Sequence, residues 1–398
     1  MNRRVVVVSL LAGACGLVGL WRAQAPGAWL SPASPVATAN EWHAASPVAT
    51  ATTSTMSQRL APAPPRIDKP STAPALASMA QAEEHRDRPV WDLCGVGRMP
   101  APAPARLTGP PDRPFYTLPA HLGEDALEQA LGSLNAALES GPPRWRAAAW
   151  VLRGVDNTGR SSGQALAEVA QTSADPVLAM WALQTCHRSQ NCNTAIAQHW
   201  ADLEPDNLVP WMWMMQLAPA NRQDEIFSRM GSGLRHLSRP TALLAVVLEA
   251  MPASLPPYLQ AEIWVRMIGV ELAMPGPGYN PLLARCPEKM PADGEPYRRC
   301  AAIGRAMVES SDTALGVALG LRLAERTYLS KLEAKAQREA LNSISQTPNK
   351  MFDEKQPMSC ESVRRLREWS ELRARQGELG AWQTLATRNA ASAANPPR

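Results

Sequence analysis

Phenylalanine and tyrosine are scarce in this chain, three and five residues in 398, and aromatics as a whole make up 5%. Sheets draw on β-branched and aromatic side chains, so this poverty argues against a β fold. Alanine, leucine, methionine and tryptophan supply the apolar mass instead, and the first three favour helix. The fold class expected is therefore all-α. An excess of one charge is lacking too: 40 basic against 36 acidic residues leave a formal net charge of +4, with no long single-sign run. That removes the electrostatic footprint of nucleic-acid binding, and no nucleic-acid partner is expected. A phosphate-binding glycine loop, a dinucleotide fingerprint and HExxH are also missing, so the sequence offers no case for the chemistries they serve and no cofactor is expected.

What is present begins with a targeting segment. Met1 to Arg4 is a short basic head, and Val5 to Trp21 (VVVVSLLAGACGLVGLW) is an apolar run broken only by Ser9 and small residues. A span needs about 20 apolar residues, with a lower limit near 17, which leaves three outcomes open. The run stays as a signal anchor, Arg3 and Arg4 remaining cytoplasmic by the positive-inside rule. Alternatively LAGAC, ending at Cys15, resembles the lipobox of bacterial lipoproteins in its small residues before the cysteine, which implies lipidation of Cys15. The third outcome is cleavage by signal peptidase after Ala25. Each places the bulk of the chain outside the cytoplasm, and the localisation expected is the bacterial cell envelope, anchored to the inner membrane with a periplasmic domain or, alternatively, as a lipoprotein.

After residues 1–21 the chain changes character. Ala, Pro, Ser and Thr dominate residues 22–88 (SPASPVATAN, SPVATATTSTM, LAPAPPRIDKP), and no period of 2 or 3.6 persists. Such a stretch buries too little apolar surface to offset the entropy of ordering it, so it reads as a disordered linker, partly polyproline II. Residues 89–122 hold a second Pro-rich stretch, Met99 to Pro114, and the apolar patch VWDLCGVG at Val90 to Gly97. The patch is expected to run extended and dock on the main domain, residues 123–398.

From Gly123 onward helical periods recur. Leu127, Leu131, Leu134 and Leu138 lie at spacings of four, three and four, on one helix face. Gly141, Pro142 and Pro143 stop that helix, and Arg144 to Arg153 restarts with Trp145, Ala148, Ala149 and Leu152 on one side. Asp175 before Pro176 reads as an N-cap with proline in the first turn. Further helices are expected at Cys192 to Leu203, Leu208 to Leu217, Arg222 to Leu234, Pro240 to Met251, Pro257 to Met274, Glu295 to Glu309, Ala314 to Thr327, Lys331 to Ile344, and Cys360 to Ala394 with a break near Gly377. Short connections make consecutive helices antiparallel hairpins. Within this region HWADLEPDNLVPWMWM (His199 to Met214) resembles the junction between two tetratricopeptide repeats. An acidic-Pro-Asp-Asn stop at Glu204 to Asn207 precedes Trp211, at the offset where that family places a large apolar residue in its next helix. The resemblance covers one junction and implies a short α-solenoid with a concave face for peptides or protein segments. An irregular bundle of the same hairpins stays open beside it.

Leaving Cys15 aside, six cysteines remain, an even number in a chain read as exported, and disulfides are the first expectation. Cys186 and Cys192 flank the loop HRSQN, Cys286 and Cys300 flank PEKMPADGEPYRR, and Cys94 is left for Cys360. Six cysteines permit fifteen pairings, and sequence proximity selects this one. A zinc site from Cys186, His187, Cys192 and His199 has suitable atoms but neither CxxC nor HxxxH spacing, so no metal is expected. GRSSG at Gly159 to Gly163 matches the GxSxG form with Ser161 as the serine, but VDNTG before it is turn material and not the strand that motif needs.

Gly316 and Gly320 form GxxxG in a helix too short to span a membrane, which reads as close helix packing. Tryptophans 145, 150, 181, 200, 211, 213 and 264 either fill gaps between Ala-rich helices or line a groove, with Trp200, Trp211 and Trp213 as its candidate wall. The charge-rich helices from Arg322 to Arg375 read as solvated faces. The function expected is a non-enzymatic, envelope-tethered scaffold that binds another envelope protein or peptide. Its rival is an envelope hydrolase built on Ser161 or one of the six histidines.

Overall fold

The computed structural model describes residues 90–100, 122–154, 156, 158–189, 192–230, 234–346 and 358–394. The expected targeting segment at residues 1–21, the expected linker at residues 22–88 and Cys15 lie outside the described residues. Among those described, a two-stranded hairpin, β1 (Val90–Leu93) and β2 (Gly97–Pro100), precedes fourteen helices. They are α1 (Glu124–Ser140), α2 (Pro143–Arg153), α3 (Ser162–Thr172), α4 (Pro176–Ser189), α5 (Thr194–Leu203), α6 (Leu208–Leu217) and α7 (Ala220–Arg229), then α8 (Ala242–Ala250), α9 (Pro257–Ala273), α10 (Asn280–Arg285), α11 (Glu295–Ser310), α12 (Ala314–Thr327), α13 (Lys331–Ser345) and α14 (Cys360–Ala394). The all-α expectation holds. No helix among the described residues is long and apolar enough to cross a membrane.

Local chemistry explains the punctuation. Proline stands in the first turn of α2, α4, α9, α10 and α11, where its missing N–H would have had no helical partner. Asp175 caps α4, its Oδ1 accepting the Val177 N–H at 3.0 Å. The leucine period of α1 buries Leu127, Leu134 and Leu138 with Ala130, each fully buried leucine contributing about 2 kcal/mol. Two helices were not expected. The α3 stretch SGQALAEVAQT is short and begins with serine and glycine, and α10 has only six residues, too few to show a period. The α7 region also differs: the helix ends at Arg229, whereas Met230 and Leu234 reach the core from non-helical backbone.

Helices adjacent in sequence pack as pairs: α1 with α2, α3 with α4, α5 with α6, α8 with α9 and α11 with α12. In addition α1 and α2 return onto α8, α1 also touches α9, and α14 lies on both α8 and α9. The apolar patch at Val90 to Gly97 supplies β1 and the turn of the β-hairpin, whose antiparallel register sets Trp91 opposite Met99. Trp91, Leu93 and Cys94 are buried, and the Cys94 carbonyl accepts the Tyr258 N–H at the start of α9. α14 bends at Gly377, whose φ of 74° breaks the helical path. Arg388 pairs with Glu368 across the bend. A straight helix would hold residues twenty apart at about 30 Å, so the two halves fold back on each other.

Candidate functional site

The α5–α6 connection, residues 234–241, the α11–α12 turn and the bend of α14 meet in a buried polar cluster. It starts at the helix stop after Leu203, where Pro205 breaks the chain and Asn207 caps α6. Asn207 is fully buried and fully bonded. Its Oδ1 accepts the N–H groups of Val209 and Leu237 at 3.2 and 3.1 Å, and its Nδ2 donates to Glu204 and to the Leu237 carbonyl, both at 3.1 Å. Glu204 also takes the Trp200 indole N–H at 2.8 Å and both ends of the Arg239 guanidinium. Burial raises this carboxyl, but those donors outweigh it and leave the group below its usual range. Arg239 has φ 49°, left-handed backbone that L side chains seldom adopt. The cost is offset by the partners its N–H and guanidinium reach.

Asp312 closes the next layer. Its two carboxylate oxygens accept the N–H groups of Ser238 at 2.8 Å and Arg239 at 2.6 Å. Beside it His236 has no exposed surface. Its N–H donates to Ser310 Oγ at 3.0 Å, and its Nδ1 lies 3.0 Å from Ser311 Oγ. Desolvation pushes the imidazole down to about 4, so the ring is neutral at neutral pH. The Ser311–His236 contact has the atoms of a nucleophile and its base. Packing decides against that use: a Cβ on Gly316 would fall 2.1 Å from Ser311 Oγ and 2.7 Å from His236 Cε1. The first turn of α12 thus occupies the space a substrate would need, and Ser311 Oγ is also bonded to the Thr313 backbone.

The third layer lies between α9 and α14. Glu271 is buried with its Oε1 accepting the Leu244 N–H at 2.8 Å, while Oε2 sits 3.6 Å from Arg373 Nη2. Desolvation outweighs Arg373 and pushes this carboxyl up to about 7. Arg373 stacks over Trp369, 4.8 Å from the ring centroid. Beyond the bend, Glu378 accepts the Ala314 N–H at 3.3 Å and the Leu379 N–H reaches the Asp312 carbonyl. Chemically the cluster fixes these chain segments to one another through hydrogen bonds and ion pairs.

The residues singled out by the sequence lie elsewhere in part. Trp200 and Trp213 are sealed in the core and Trp211 is 7% exposed, so they form no groove wall. The reason is that α6 is apolar all round, Leu208 to Met215 being buried on every side, which makes it a central helix. The structure joins Cys94 to Cys360, Cys186 to Cys192 and Cys286 to Cys300. With the Cys186 and Cys192 sulfurs bonded to each other, the zinc constellation has no thiolates to offer, and His199 Nε2 lies 2.8 Å from the Ser173 carbonyl. Ser161 is the N-cap of α3.

Glu271, His236, Asp312 and Glu378 were not singled out. A signal for Glu271 existed, since it continues the buried positions Trp264 and Met267 at helical spacing. His236 and Asp312 sit in irregular segments, where no period reveals a partner, and Glu378 lies in α14 directly after the Gly377 break in the helical path. Apart from the cluster, an open depression of about 310 Å³ lies within the Cys286–Cys300 loop, floored by Pro287, Met290, Pro291 and Tyr297. No protein-family model, curated protein or solved structure matches this chain.

Proposed function

We propose that this chain is an envelope-tethered helical scaffold that binds another envelope protein or peptide. In this reading its N-terminal basic and apolar segment is held by the inner membrane and residues 22–88 act as the tether. The observation that carries the reading is the use of cysteine: all six cysteines after Cys15 are consumed in three disulfides. Such bonds persist in oxidising compartments and are rare in a reducing cytoplasm, which agrees with export directed by Arg3, Arg4 and the run that follows. A scaffold rather than an enzyme is favoured because the converging carboxylates Glu204, Asp312 and Glu378 are spent on internal bonds, Glu204 to Asn207 among others. The return of α1 and α2 onto α8 and α9 favours an irregular bundle, since in a solenoid each unit touches only its neighbours.

The test is the intact mass of the protein purified from its native membrane, before and after reduction. The expected result is an intact Met1 or a lipid-modified Cys15, with a gain of two hydrogens per disulfide on reduction. A soluble chain whose mass is unchanged by reduction would overturn the localisation. The scaffold role is tested by in-cell photo-crosslinking from the exposed positions Leu315 and Leu332. One discrete envelope adduct is expected, and uniform labelling of many proteins would count against a specific partner.

A further inference from the structure

The turn of the β-hairpin is where it is fastened to the helices. Along β1 burial alternates: Trp91 and Leu93 face the core, Val90 is exposed, and Val96 in the turn is exposed as well. The Cys94 N–H donates to the Met358 carbonyl at 3.0 Å, just before α14, and the Tyr258 N–H of α9 donates to the Cys94 carbonyl at 3.3 Å. Gly95 permits this approach: its φ is 88°, and a Cβ there would fall 2.6 Å from Pro257 Cδ. A two-stranded hairpin is marginal by itself in water. Its order here depends on this seat and on the Cys94–Cys360 bond beside it.

The three disulfides differ in access. Cys286 and Cys300 have no exposed surface, and Cys186 is 4% exposed beside a partly buried Cys192. Cys360, in contrast, is exposed at the first residue of α14, although its partner Cys94 is buried. Exposed disulfides are the ones that thiols reach. The start of a helix also favours negative charge, so α14 favours the thiolate that reduction leaves on Cys360. Glu361 beside it does not cancel this effect, since its carboxylate is matched by Arg364 and Arg365.

We infer that Cys94–Cys360 is a redox clasp: a dithiol reductant opens it and frees the β-hairpin from α9 and α14, while the other two disulfides stay closed and the helical body stays folded. A thiolate of the reductant attacks the exposed Cys360 Sγ, the Cys94–Cys360 bond breaks, and Cys94 leaves as a thiolate and takes up a proton. The second thiol of the reductant gives up its proton and displaces Cys360 from the mixed disulfide. Two electrons pass to this chain, and the reductant is left as a disulfide. Once the bond is gone, the hairpin is no longer held at its seat by a covalent link, and Trp91 and Leu93 can leave the core with it.

The test is a time course of the full chain in dithiothreitol, without denaturant, with free thiols trapped by alkylation and located by peptide mass. Cys94 and Cys360 are expected to be trapped at least about tenfold faster than the four cysteines of the other two bonds. Hydrogen exchange at that stage should show the amides from Trp91 to Met99 losing protection by more than about tenfold, while α11 and α12 hold theirs. Cys94→Ser together with Cys360→Ser should reproduce the released hairpin without reductant. Trapping of all six bonded cysteines at one rate, or of another pair first, would overturn the clasp. So would a hairpin that keeps its protection once Cys94 and Cys360 are trapped. Should the double variant fail to fold, the order of trapping and the exchange of the native chain decide by themselves.

Discussion

Glu271 and His236 are the two side chains at which burial most directly sets the response of this fold to pH, and they act in opposite directions. The Glu271 carboxyl is raised from an ordinary 4.5 to about 7, mainly by desolvation. Its contribution to stability is fully present below pH 4.5 and is lost as pH rises through 7, by about 3 kcal/mol at most. The His236 imidazole is lowered from 6.5 to about 4, again by desolvation. Its contribution is present above pH 6.5 and is lost as pH falls through 4, by a similar amount. Between about pH 4.5 and about pH 6.5 the two slopes oppose each other, so the native chain should show a flat stretch there. Glu271→Gln preserves an acceptor for the Leu244 amide and removes the titration. In that variant stability should climb with pH over the same interval, measured by urea unfolding at constant ionic strength. A variant profile parallel to the native one would show that Glu271 is not protonated in the fold.

Helices in this protein differ in what holds them. α11 and α12 are locked by close approach: a Cβ on Gly320 would meet Met307 Cβ at 2.6 Å. Only half of the GxxxG reading is helix packing, since Gly316 makes room for His236 and Ser311 instead. α13 is the contrary case, burying only Ala334 along its fifteen residues. Besides the Arg338–Glu325 ion pair to α12, its N-terminus carries a capping box, where Ser330 Oγ accepts the Glu333 N–H at 3.2 Å and the Glu333 carboxylate accepts the Ser330 N–H at 3.0 Å. Ser330→Ala removes half of that box, at a cost of about 1 kcal/mol. The loss should appear locally: amide exchange across Lys331 to Ser345 rises about fivefold while the urea midpoint of the whole domain stays in place. A shift of the midpoint with no change in local exchange would mean that α13 unfolds only with the rest.

At the scale of the whole molecule, the helices were legible where apolar spacing met proline or glycine punctuation, as in α1, α2 and α9. Propensity and period act within a single segment, and each is written in that segment. The polar cluster was not legible because its members lie far apart in the chain: His236 meets residues seventy-four and seventy-five positions away. The tryptophans on α6 illustrate the same limit, as their burial depends on walls contributed by other helices. Cross-links are where local and global organisation meet. Cys94–Cys360 spans 266 residues, Cys286–Cys300 spans 14 and Cys186–Cys192 spans 6. If their role is to restrict the unfolded chain, the loop-closure model assigns them about 6, about 3 and about 2 kcal/mol respectively. Replacing each pair by serines should lower urea stability in that order. The reverse order, with Cys186 and Cys192 costing most, would show that the bonds act by fixing local native geometry. Cys94–Cys360 would then serve to hold the β-hairpin and α14 together rather than to stabilise the domain as a whole.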